Sequence, residues 1–173
     1  MATKSLAPCR TASIRLQFVC AADLSSRLIA WYGNGYGGYS HVDAVLPDGS
    51  LLGARSDKVG GKPAGVEIRP PGYEPVTRRA VVRIPVTSAE AAAWEAWLRS
   101  QINEPYDSGA IWGFVLGRAD HAQGRWICSA LQTGALQVIR RLPKLPVPTS
   151  QVTPDALLLL AVAIGGEVVE SGT

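Results

Sequence analysis

Cys128 is the residue of this chain best placed to act as a nucleophile. It stands in "GRWICSALQTGAL", after a Trp-Ile pair and before a helix-forming run. A thiolate is favoured at a helix N-terminus, where unpaired N–H groups and the macrodipole stabilise negative charge. Thiol acyl chemistry also needs an imidazole and a donor for the developing oxyanion. The backbone N–H of Cys128 is a candidate for that donor. The same position suits a small apolar plug, since free cysteines are commonly buried. The chain has only two histidines, His41 and His121. His41 opens a strand after the glycine-rich "GNGYGGYS", which reads as the approach to a site or as a plain turn. His121 lies in the polar "RADHAQGR" and reads as exposed and incidental.

An imidazole base needs a partner to hold it. In "HVDAVLPDGSLLGARS" the "PDG" is a turn signal between two apolar runs, which predicts a hairpin. A two-residue turn at Asp48-Gly49 would bring Ser56 opposite His41. Asp43 shares a strand face with His41, because side chains repeat every second residue. Ser56 and Asp43 are therefore both candidates. A register slip of one would bring Arg55 or Asp57 opposite instead. Arg55 has no acceptor and would orient the ring poorly.

The 173 residues suit one domain. Apolar content of 47% and charged content of 18% support a packed core and argue against disorder. The net charge of +3 comes with no dense Lys/Arg run, so nothing points to nucleic acid. The N-terminus lacks an uninterrupted apolar stretch, which predicts no secretory signal and a cytoplasmic setting. The run Ala156 to Ile164 is too short to span a bilayer, so no transmembrane segment is expected; it reads as a buried helix. Cys9, Cys20 and Cys128 form neither a CxxC pair nor a zinc-type Cys/His cluster, and reduced thiols are expected.

Residues 1–12 read as a loose leader and 13–173 as a single domain. "SIRLQFVC" alternates as a half-buried strand, and a short helix is expected from Asp23 to Gly33. "GVEIRPP" and "RRAVVRIPV" read as further strands. "VTSAEAAAWEAWLRSQI" is the clearest helix. It has a Thr87/Glu90 capping box and an apolar stripe of Trp94, Trp97, Leu98 and Ile102. A second helix runs from near Cys128 to about Ile139. A third has Thr153 as N-cap and Pro154 in its first turn. Central strands flanked by helices predict an α+β class.

The blocks "YSHVDAVLPDGSLLGAR", "AGVEIRPPGY", "EPYDSGAIWGF" and "WICSAL", in this order, resemble the circularly permuted papain-like cysteine hydrolases. These are the permuted NlpC-type endopeptidase or YiiX-like group, distantly similar to the lecithin:retinol acyltransferases. The match covers roughly Ile14 to Ile139. The resemblance implies an antiparallel sheet packed on a helix headed by the cysteine, with Cys128 as nucleophile, His41 as base and Tyr106 of "PYD" assisting the oxyanion. It implies amide or ester cleavage, in cell-wall peptides or acylated substrates, with no cofactor and no metal. Similar sequences are frequent in bacteriophage genomes. This implies, as alternatives, a structural module of a phage tail and a place in the virion; an acyltransferase, in which an acceptor other than water takes the acyl group, is a further alternative. The strand after the histidine, where the family carries its third residue, offers "LLGARSD" with no glutamate. Ser56 or Asp57 then substitutes, or Asp43 acts from the histidine's own strand, or the site is a dyad, or catalysis is lost.

Overall fold

The computed structural model describes residues 12–21, 38–107 and 127–172. Residues 1–11 of the expected leader, the expected helix from Asp23 to Gly33, most of the glycine-rich stretch and His121 lie outside the described residues, while Ala12 opens the first strand. The architecture is α+β: six antiparallel strands and three helices among the described residues. The strands are β1 (Ala12–Ala21), β2 (His41–Val45), β3 (Leu51–Arg55), β4 (Gly65–Arg69), β5 (Val76–Val86) and β6 (Glu167–Gly172). Their order in the sheet is β4-β3-β2-β1-β5-β6. The helices are α1 (Ser88–Ser100), α2 (Cys128–Val138) and α3 (Pro154–Ala163).

Alternation along β1 sorts the two faces. Ile14, Leu16 and Phe18 are buried in the main core, while Arg15 on the other face is exposed. The inward row continues with Val42 and Ala44 of β2 and Val82 and Ile84 of β5. It packs against Trp94 and Leu98 of α1, Leu131 and Leu136 of α2, and Leu157 of α3. Helix α2 lies over β2 and β3, which brings its N-terminus near His41.

The helix boundaries follow local chemistry. Thr87 accepts from Glu90 N, and the Glu90 side chain accepts from Thr87 N, completing the expected capping box. Glu90 also takes Arg141 at 2.9 Å, tying the start of α1 to the end of α2. Thr153 caps α3 as expected. Two expectations change. Helix α3 is not fully buried: Leu159 is 71% exposed and Val162 45%. The "GGEVVE" terminus, given no element from the sequence, forms edge strand β6 on β5.

The hairpin turn also differs, and this moves the register. Gly49 N donates to Leu46 O and Leu46 N to Ser50 O, each at 2.9 Å, so the loop is the three residues Pro47-Asp48-Gly49. Pro47 suits the first central position of a type I turn, and Gly49 follows at φ +84, the left-handed residue that closes a three-residue loop. Ala44 then pairs Leu52, and Val45 pairs Leu51. Continued along the strands, this register sets Gly53 opposite Asp43 and Arg55 opposite His41. Ser56 is not opposite His41; it lies beyond the end of β3 and is exposed.

The stretch after α1 seals the outer edge of β4. Val66 N donates to Glu104 O at 2.9 Å and Asn103 N to Val66 O at 3.0 Å, which fixes the approach to Tyr106. Gly65 allows this contact: its φ is +114, and a Cβ there would stand 2.7 Å from Glu104 O. Gly72 has φ +65 and open space around it. Gly65→Ala is therefore expected to cost about 1–3 kcal/mol more than Gly72→Ala, which carries only backbone strain. Urea unfolding midpoints of the two variants check this.

Candidate functional site

Cys128 is the first residue of α2, and no side chain among the described residues caps the helix there. Ile127 holds the N-cap position in an extended conformation without a side-chain bond, and the first turn contains no acidic residue. The opening N–H groups are thus unanswered by the described side chains, and the thiol stands among them. Cys128 is 6% exposed.

The sheet opens where the thiol arrives. The β2–β3 ladder stops at Ala44–Leu52, although β2 continues to His41 on β1 and β3 to Arg55 on β4. Antiparallel bonding alternates, so the next bonded pair would join Val42 to Ala54. That pair is not formed. The Val42 N–H is left on the side of the Cys128 sulfur, whose negative charge it favours. Gln132, one helical turn on, donates from Nε2 to Leu52 O at 3.0 Å, which anchors α2 at the last rung of the ladder. At this opening the Cys128 thiol and the His41 ring are near enough for each to favour the charged form of the other.

His41 is held from its own strand. Its Nε2 lies 2.8 Å from Asp43 Oδ1, which leaves Nδ1 for the sulfur. Both residues are buried, at 5% and 1% exposure. They share the face turned away from the helices, opposite Val19 and Gln17 of β1. Tyr73, from the loop between β4 and β5, donates to Asp43 Oδ2 at 2.9 Å. The Arg55 and Arg69 guanidiniums stand 5.7 and 5.8 Å from the centre of the Tyr73 ring. Arg69 is buried, and its three nitrogens donate to the carbonyls of Val59, Gly53 and Pro63. Arg55 binds Asp57 and Glu74.

Charge follows from these contacts. Burial opposes the imidazolium, but Asp43 and the Cys128 sulfur outweigh it and raise the His41 pKa to about 10. Burial likewise opposes the Asp43 carboxylate, yet His41 and the Tyr73 hydroxyl hold its pKa below the usual range. Burial would raise the thiol pKa; His41 and the Val42 N–H lower it. The arrangement favours a thiolate beside an imidazolium. Tyr106 packs against Ile127 and Ala130, on either side of Cys128. Burial and the charge on Cys128 push its pKa up, so its hydroxyl keeps its proton and can donate.

Of the residues singled out from the sequence, the structure brings Cys128, His41 and Asp43 together, with Tyr106 alongside. It leaves Ser56 outside, and it gives Asp57 to Arg55. Tyr73, Arg69, Gln132 and the Val42 N–H were missed. Tyr73 and Gln132 act across sequence separations of 30 and 80 residues that no local pattern marks. Gly53 did carry a signal, since an isolated glycine within a strand marks close approach. A Cβ at Gly53 would fall on Asp43 Oδ1.

Gly53→Ala is therefore expected to destabilise the protein by about 1–3 kcal/mol through overpacking and to displace Asp43 from His41. Asp43→Gly in the same chain removes the collision. A double-mutant cycle should show a coupling of about 1 kcal/mol or more between positions 43 and 53. Additive effects would mean that the two positions do not compete for space.

No family model matches the chain, and no curated protein matches it. Among solved structures, a metalloprotein, YiiX of Escherichia coli O157:H7, superposes with a TM-score of 0.55 at 15% identity, covering 82% of this chain and 79% of that one. Among the described residues, no group of three or more His, Cys, Asp or Glu side chains is placed to hold a metal ion. The likeness is one of fold: this chain has a YiiX-like architecture.

Proposed function

We propose that this chain is a thiol hydrolase that opens an amide or ester bond with Cys128, His41 and Asp43. The observation that carries the reading is one ring between two partners: His41 bonds Asp43 at 2.8 Å and feels the charge of the Cys128 sulfur, which heads a helix that no described side chain caps. Cys128 attacks the acyl carbon; a C–S bond forms and the carbonyl π pair moves to oxygen. The Cys128 N–H and the Tyr106 hydroxyl hold that oxyanion, and each good donor would contribute about 3–4 kcal/mol. The imidazolium of His41 protonates the leaving nitrogen or oxygen as its bond to the acyl carbon breaks. Water then attacks the thioester while His41 takes its proton, and the thiolate departs. Asp43 remains ionised and holds the ring. If an acceptor other than water takes the acyl group, the same steps make an acyltransferase. The resemblance to NlpC-type enzymes supports a cell-wall peptide or an acylated molecule as substrate.

A second reading, a papain-like module without catalysis that serves as a structural or binding part of an assembly such as a phage tail, is favoured by the low exposure of both Cys128 and His41. Alkylation by iodoacetamide across pH, read by peptide mass spectrometry, decides between the two. The hydrolase reading expects half-maximal labelling of Cys128 well below the ~8.5 of a free thiol. The rate should rise as the thiol ionises, and the imidazolium should persist until pH nears 10. In His41→Ala only the Val42 N–H still opposes the burial penalty, so labelling should shift up towards or above ~8.5. Slow labelling that ignores His41 supports the inert module.

A further inference from the structure

The face of the sheet turned away from the helices carries a cleft of about 320 Å³, separate from the Cys128 thiol. That volume lies in the range of small-molecule sites. Arg15, Val45 and Leu51 stand in one row across β1, β2 and β3, and all three line it. The charges around it do not balance. Arg15 lies directly opposite Arg83 on β5, and Arg79 lies four residues back along β5, opposite Val19. Like charges across a ladder repel. Strand β6 answers two of the three: Glu167 takes Arg83 at 2.7 Å and Glu170 takes Arg79 at 3.1 Å. Arg15 has no hydrogen bond or ion pair among the described residues, and it is exposed. The carboxylate that lines the cleft, Glu74, is already held by Arg55 at 2.6 Å.

We propose that this cleft binds a small carboxylate or phosphate carried on a compact apolar body, with the anion on Arg15 and the body over Val45 and Leu51. An unanswered guanidinium beside a row of apolar side chains fits both halves of such a ligand, and guanidinium pairs well with planar or tetrahedral oxyanions. Tyr73, which donates to Asp43, is a wall of the cleft, so an occupant would sit directly behind the His41–Asp43 pair. The proposal does not depend on the hydrolase reading.

Calorimetric titration of the full chain with hexanoate, acetate and inorganic phosphate at low ionic strength tests it. Hexanoate should bind, and Arg15→Gln should weaken it about tenfold or more, as expected for loss of a charge-assisted bond. Arg15→Lys, which keeps the charge, should retain most of the affinity. Arg83→Gln, paired elsewhere and outside the cleft, should leave it unchanged. No binding of hexanoate, or equal binding by wild type and Arg15→Gln, overturns the proposal. Acetate or phosphate binding as tightly as hexanoate overturns the role given to the apolar row.

Discussion

The His41–Asp43 bond is made within one strand, and this sets the demands on what surrounds it. Side chains two residues apart on a strand share a face but do not ordinarily touch, so one must lean towards the other. Asp43 leans over the neighbouring strand, into space that any side chain at Gly53 would fill. The ladder between β2 and β3 ends at the same place. That ending leaves the Val42 N–H to favour negative charge on the Cys128 sulfur. A glycine, a broken rung and a helix N-terminus thus converge on one imidazole.

Burial makes this arrangement costly to leave incomplete. Removing one partner of a buried charged pair typically costs about 3–5 kcal/mol, because the other is left uncompensated. Asp43 accordingly has His41 on one oxygen and Tyr73 on the other. Tyr73 in turn has two guanidiniums near its ring, one of them buried and committed to three backbone carbonyls. The loops on either side of β4 are drawn in by the same network, which explains why an arginine can be among the most buried side chains.

Much of the fold was legible because its signals are local. The Thr87/Glu90 box, the Thr153 cap, the start of α2 at Cys128 and the alternation of β1 all depend on residues a few positions apart. Cys128, His41 and Asp43 could be picked out for the same reason: each follows from its place on one element. The register was not legible. Whether "PDG" closes a two- or three-residue loop decides between Ser56 and Arg55 opposite His41, and the left-handed Gly49 selects the longer loop. Strand β6 and the exposed side of α3 depend on what packs beside them, and apolar composition alone does not reveal that.

The protonation state of His41 tests the central claim most directly. In ¹⁵N-labelled protein, with the His41 signals assigned by their loss in His41→Gln, the ring nitrogens report charge without any substrate. A thiolate–imidazolium pair held by Asp43 predicts that both nitrogens stay protonated at pH 8 and that the ring titrates near pH 10. A ring that is neutral at pH 8 and titrates near the ordinary ~6.5 would contradict it. The cysteine would then be an ordinary buried thiol beside an ordinary histidine.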